Sequence, residues 1–307
     1  MKTRYINFIN SLHVINVKIS EKSKGINMEK IAILTDSASN IEENISEGIF
    51  VVPLYVNFEN ESKKDLVEIS PNELFKRIED EKPYTSAPSI EDFREKMKMI
   101  WEAGYTKILA LAVSHTLSGS FNAMRLALES QDMEYVLIDT LNITISEGLL
   151  VTYAKSLVKQ GLGLDELEKI IREKIKDTKL IASVSDLKYL IRGGRLSSIE
   201  GLIGGTLRIN PVLTIDDMGK IANFKSVMGK KRALNFIVEE TKKALAKVEK
   251  YYLALVYGND KEDIRGLKEK LADLIEGAEF YFEGPVTAVL GTHSGPCVYG
   301  VSFLKIE

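Results

Sequence analysis

Short apolar runs separated by amphipathic stretches recur from Met28 onward, and that alternation leaves few folds open to the chain. Ile31 to Leu34, Phe50 to Phe58, Lys107 to Ala112 and Tyr135 to Asp139 read as strands, with helical patterns between them. Strands alternating with helices predict a parallel α/β unit, whose ligand-binding loops gather at the carboxyl ends of the strands. Pro53 interrupts the second run and predicts an edge or a bend. Ser70-Pro71-Asn72-Glu73 combines a cap, a first-turn proline and a capping-box acid, so a helix is expected through Ile78. Ser89 is placed to cap a helix from about Glu91 to Trp101, and another covers Ser146 to Lys159.

Beyond Gly161-Leu162-Gly163 and a helix over Asp165 to Lys176 the texture changes. A strand at Leu180 to Val184 and a short helix at Asp186 to Ile191 are followed by a glycine-rich apolar helix through Gly201, Gly204 and Gly205. Asp216-Asp217-Met218-Gly219 between Asn210 to Ile215 and Ile221 to Phe224 is a hairpin signal. A helix over Lys230 to Val248, a strand at Tyr252 to Val256, a helix over Asp260 to Leu274, a strand at Glu279 to Glu283 and a final glycine-rich segment predict a mixed α+β unit. The expected organisation is therefore residues 28–175 as an N-terminal α/β domain and 176–307 as a C-terminal α+β domain. Residues 1–27, with five basic side chains against the single acid Glu21, read as a loose arm or a spurious upstream start, because Met28 directly precedes the first clean strand.

At 307 residues the chain is long enough for two domains with separate cores. Its net charge of −3 offers no electrostatic case for nucleic acid. Cys297 is the one cysteine, which excludes an internal disulfide framework and any multi-cysteine metal site, and three histidines are too few for a convincing zinc site. No apolar run approaches the ~20 residues that cross a bilayer, so a soluble cytoplasmic protein without stable membrane insertion, metal or cofactor is expected.

Chemistry concentrates in Ser114-His115-Thr116-Leu117-Ser118-Gly119-Ser120, between the strand at Lys107 and a helical pattern from Ala123. The amides of Ser118, Gly119 and Ser120 are expected as unpaired donors at a helix start, where an anion is readily held. The same residues would also serve as a plain helix cap. Thr85 and Ser86, in Tyr84-Thr85-Ser86-Ala87-Pro88-Ser89, read as loop hydroxyls that either shape a turn or face the same rim. His293, in Gly291-Thr292-His293-Ser294-Gly295-Pro296, reads as a loop histidine. Ser114, His115, Ser118 and Asp36 do not make a convincing hydrolase set, because sequence neighbours on an extended segment point apart and no Gly-x-Ser-x-Gly elbow is present. A hydrolase or acyltransferase using Ser118 and His293 is the competing enzyme reading. Arg192-Gly193-Gly194-Arg195 lacks a Walker lysine and reads first as a helix C-terminal turn.

Leu34-Thr35-Asp36-Ser37, the Thr85 and Ser114 segments, Val136-Leu137-Ile138-Asp139-Thr140, Leu190-Ile191-Arg192-Gly193-Gly194-Arg195, Asn210-Pro211-Val212-Leu213 and the His293 segment occur in one order. Together they resemble the DegV family of bacterial proteins from Met28 to the C-terminus. The resemblance implies a long-chain fatty acid bound between two domains, its carboxylate at the interface and its tail in an apolar tunnel, and a non-catalytic protein. Some family members are binding subunits of fatty acid kinase, which present the acid to a separate kinase subunit for acyl-phosphate formation. By the same resemblance Thr85, Ser118 and the Gly119 amide would hold the carboxylate, with His293 approaching from the second domain. Ser86, Ser114, Asp36 and Arg195 are secondary candidates, and Lys230, Lys231 and Arg232 a candidate partner contact. The sequence departs from the family pattern at Cys297, where a glycine often follows the proline, and in the late position of its basic segment at Lys230 to Arg232.

Overall fold

Pro53 marks the point at which the first apolar stretch changes sheets. The computed structural model describes residues 30–195 and 209–307, so residues 1–27 and the predicted helix through Gly201, Gly204 and Gly205 lie outside the described residues. The strands β1 (Ile31–Asp36) and β2 (Ile49–Val52) pair in parallel. Past Pro53, which has no N–H for the ladder, the chain re-enters extended structure as β3 (Tyr55–Asn57), in a different, three-stranded antiparallel sheet with β4 (Ser62–Lys64) and β5 (Tyr84–Ser86). One expected strand is thus two, and the small sheet was not anticipated.

β6 (Lys107–Ala112) and β7 (Glu134–Asp139) complete the parallel sheet in the order β2-β1-β6-β7. All six β1 residues are buried, as both-face coverage of a parallel sheet requires. The helices of this half are α1 (Pro71–Glu81), α2 (Ile90–Glu102), α3 (Ser120–Leu128), α4 (Ile145–Lys159) and α5 (Leu164–Lys174). Ser70 and Ser89 cap α1 and α2 through the amides of Glu73 and Asp92.

The second sheet runs β10-β9-β8-β13-β11-β12 and is antiparallel except for the last pair. Its strands are β8 (Thr178–Ser183), β9 (Ile209–Ile215), β10 (Ile221–Met228), β11 (Tyr251–Tyr257), β12 (Phe280–Pro285) and β13 (Tyr299–Lys305). β9 and β10 form the expected hairpin, in which Asp216 Oδ1 accepts the amides of Met218 and Lys220.

The helices here are α6 (Lys188–Arg192), α7 (Lys230–Leu245), α8 (Arg265–Lys270), α9 (Ala272–Glu276) and α10 (Ala288–Ser294). The single helix expected over Asp260 to Leu274 is instead a 3-10 turn at Lys261–Ile264 followed by α8 and α9. Ile264, Leu267 and Leu271 are all buried, and Leu271 leaves helical geometry at φ −106° and ψ 13° to reach the core. The final glycine-rich segment is likewise no loop: Thr287 caps α10, and its last turn carries His293. Gly291 lets α10 approach α1, because a Cβ there would stand 2.8 Å from the Phe75 ring and 2.9 Å from Leu74.

α4 binds the two large sheets together. It packs on β1 and β6 to one side and on β8, β11 and β13 to the other, so residues around its whole circumference are buried at its N-terminal end. One continuous apolar core therefore runs from Leu111 through Leu149 to Ala254 and Leu304. α10 crosses back from the second sheet to touch α1, β3 and β5.

Candidate functional site

That crossing of α10 brings Thr85 and His293 together. An apolar cavity opens between the two halves, walled by Leu54, Val113 and Leu117 from one side and by Ala182, Leu213 and Val289 from the other. Thr85, Ser86, Ser118, Gly119, Arg195 and His293 also line it. β5 supplies Thr85: the residue pairs across the strand with Val56, so it is held by a ladder rather than by a free loop. Its Oγ1 lies 2.8 Å from His293 Nε2.

The rest of the imidazole environment decides which way that bond runs. Nδ1 of His293 is buried with no hydrogen-bond partner, and it packs on the α carbon of Gly193, where a Cβ would overlap it. A buried N–H without an acceptor is costlier than a bare lone pair on a neutral ring, so Nε2 carries the proton and donates to Thr85 Oγ1. The Thr85 O–H is then free to donate to a ligand. Burial, reinforced by the positive charges of Arg195 and Arg192, pushes the His293 pKa down to about 3, so the ring is neutral near pH 7.

The Ser118 turn offers less than three free amides. Ser118 N–H donates to Ser114 O at 3.2 Å, and Ser120 N–H donates to Ser118 Oγ at 3.2 Å. Only the Gly119 amide, just before α3, lacks an acceptor among the described residues. Arg195 Nε donates to Leu117 O at 3.1 Å, which fastens the guanidinium beside this turn. Arg195 makes no ion pair among the described residues, and burial lowers its pKa.

Asp36 and Ser114 do not line the cavity. Asp36 Oδ2 accepts from Ser120 Oγ at 2.6 Å and Val113 N at 3.3 Å, and Oδ1 accepts from Ala38 N at 3.0 Å. Burial, only partly opposed by these donors, raises its pKa to about 6. Its place is beneath the turn, tying the end of β1 to the start of α3. Ser114 is fully buried and its hydroxyl meets Thr116 Oγ1 at 3.0 Å.

The pair required for hydrolysis is not assembled, because His293 Nε2 is engaged by Thr85 and its other nitrogen is buried against Gly193. His115 bonds Asp139, but its ring is exposed and off the cavity wall. At the start of α7, Lys230 pairs with Asp263, while Lys231 and Arg232 are exposed. Among the described residues there is no cluster of three or more His, Cys, Asp or Glu side chains able to hold a metal ion, and no helix is long and apolar enough to cross a membrane. The resemblance implied an apolar tunnel between the domains, but sequence reasoning missed which residues wall it, Thr144 among them, because residues far apart in the chain build one surface.

The model of the DegV family matches residues 30–305. The chain belongs to the DegV family. A DegV domain-containing protein of Clostridium acetobutylicum is 32% identical over 281 residues, covering 91% of this chain and all of that one. A protein of Thermotoga maritima named as a fatty acid-binding protein is 30% identical over 289 residues, covering 91% of this chain and 99% of that one. Among solved structures, the DegV family protein of Thermus thermophilus, described as binding fatty acid, superposes with a TM-score of 0.84 at 27% identity, over 90% of this chain and 100% of that one. The parallel first sheet and mixed second sheet are those of the DegV fold.

Proposed function

We propose that this chain binds a long-chain fatty acid without transforming it. The carboxylate sits between the Thr85 hydroxyl, the Ser118 turn with its Gly119 amide, and Arg195, with Ser86 at the margin and His293 orienting Thr85 from α10. The tail follows the apolar wall. The observation that carries this reading is the 2.8 Å contact between Thr85 Oγ1 and His293 Nε2 at the edge of an otherwise apolar cavity. That contact leaves a hydroxyl hydrogen to donate, and the cavity can shelter methylenes, each worth about 0.8 kcal/mol when buried. About fourteen of them contribute roughly 11 kcal/mol before ordering costs, so the head site needs only to orient the acid. The names of the Thermotoga and Thermus relatives point the same way.

Residues 28–175 and 176–307 act in this reading as two domains that close on the ligand, in the cytoplasm and with no cofactor. The held carboxylate is offered to a kinase subunit for acyl-phosphate formation, with Lys231 and Arg232 as a contact for that partner. Mass spectrometry of ligand extracted from the purified chain tests the binding. A long-chain acid is expected, whereas neither extracted lipid nor measurable binding of added long-chain acids would overturn it. A serine-directed phosphonate is expected to leave Ser118 unlabelled, and labelling would favour the hydrolase instead. Acyl-phosphate formation on adding a fatty acid kinase catalytic subunit tests the presentation role.

A further inference from the structure

The cavity wall carries a polar group that the carboxylate clamp does not use. Thr144 lines the cavity, is 6% exposed, and its Oγ1 is buried with no hydrogen-bond partner. It stands at the N-cap of α4, a helix of 15 residues. Thr144-Ile145-Ser146-Glu147 has the spacing of a reciprocal capping box, in which the threonine would turn back onto the Glu147 amide. Neither capping bond is made. Thr144 adopts φ 56° and ψ −152° and gives no side-chain cap, and Glu147 Oε1 instead accepts from Thr35 Oγ1. The amides of Ile145, Ser146 and Glu147 find no acceptor among the described residues, although all three residues are fully buried.

An unmet hydroxyl on the wall of a cavity calls for an oxygen from the ligand. The surroundings specify its type. Ile143, the preceding residue, packs with Leu117, Leu180, Ala182 and Ile215, and Arg195, the cation on the wall of this cavity among the described residues, is fastened at the Leu117 carbonyl beside the carboxylate turn. With Arg195 given to the head carboxylate, a second carboxylate or a phosphate would be desolvated at Thr144 without a counter-charge of its own, whereas a neutral hydroxyl meets the site on equal terms. It either donates its hydrogen to Thr144 Oγ1 or accepts the Thr144 O–H, and either bond satisfies the buried hydroxyl. A plain polymethylene chain offers neither. Thr214, also on the cavity wall, has its own acceptor in the Ile215 carbonyl at 3.5 Å.

We infer that the cavity selects hydroxylated fatty acids, with the chain hydroxyl seated against Thr144 at the N-cap of α4. This rests on the reading that the cavity holds a fatty acid. Delipidated full-length chain is offered stearic acid in competition with each positional isomer of hydroxystearic acid, and the bound acids are extracted and weighed by mass spectrometry. One isomer is expected to outcompete stearate by about tenfold, equivalent to ~1.4 kcal/mol. In Thr144→Val, which keeps shape and branching, the ratio should fall to near one; in Thr144→Ser it should remain. Stearate binding as well as every isomer, as it would if a trapped water satisfied Thr144, overturns the inference while leaving fatty-acid binding intact. So does a preference that survives in Thr144→Val. Failure of all the acids to bind overturns the underlying reading too. Should Thr144→Val not fold, the isomer series on the unaltered chain and on Thr144→Ser still decides.

Discussion

Thr85 Oγ1 and His293 Nε2 are 2.8 Å apart although 208 residues separate them in the chain. One comes from a strand of the small sheet and the other from the last turn of α10, so the contact exists only when both halves of the molecule are in register. The imidazole is neutral and its second nitrogen is sealed against Gly193, which makes it an orienting group for the threonine hydroxyl.

Removing either partner therefore acts on ligand affinity. Thr85→Val and His293→Ala should each weaken fatty-acid binding roughly ten- to a hundredfold, the worth of a hydrogen bond to a charged group at about 1.5–3 kcal/mol. Isothermal titration calorimetry on both variants checks this, with circular dichroism confirming that the fold is kept. Unchanged affinity in both would place the carboxylate elsewhere.

Gly193→Ala tests the same geometry from behind. Gly193 has φ −75°, which alanine adopts freely, so the backbone is not the obstacle. The added methyl overlaps His293 Nδ1 and must displace the ring. Overpacking of this kind typically costs about 1–3 kcal/mol. The melting temperature should fall, and acid binding should weaken as in His293→Ala.

The depressed His293 pKa predicts how stability varies with pH. The unfolded chain protonates this histidine near the ordinary value of 6.5 and the folded chain only near 3, so between these values the unfolded state holds more protons. The contribution of His293 to stability is complete above about pH 6.5 and is lost as pH falls toward 3. Chemical unfolding of the parent chain and of His293→Gln across this range should give curves whose difference is flat above pH 6.5 and shrinks below it. A constant difference throughout would contradict the burial of the ring.

Asp36 carries the opposite sign. Burial raises its pKa from 3.8 to about 6, so the folded state holds the proton more tightly, and this share of stability declines as pH rises through about 6. Asp36→Asn should remove that slope. It should also destabilise by about 1–3 kcal/mol, because one amide oxygen cannot accept from Ser120, Val113 and Ala38 together. Loosening of the Ser118 turn should appear as faster hydrogen exchange at Ser118 and Ser120, whose amides are the bonded ones.

Local signals account for what was legible beforehand. Caps at Ser70 and Ser89, the period of the apolar runs and the Asp216 hairpin act within a few residues, and each appears in the structure where the chain alone places it. Boundaries failed where packing overrode them, at Leu271 between α8 and α9 and at Gly291 within α10. Thr85 was legible as a candidate but not as a strand residue, since β5 exists only by pairing with β3.

The sequence by itself determined the strand and helix alternation, the parallel first sheet and the position of the Ser118 turn, because periodicity and capping are short-range properties. Tertiary structure alone decided that His293 is helical and faces Thr85, that Asp36 lies beneath the turn instead of on the cavity, and that Thr144 is left without a partner on the wall. Those outcomes depend on α4 and α10 being packed between elements from both ends of the chain, and burial there sets hydrogen bonding and protonation more strongly than any neighbour in sequence.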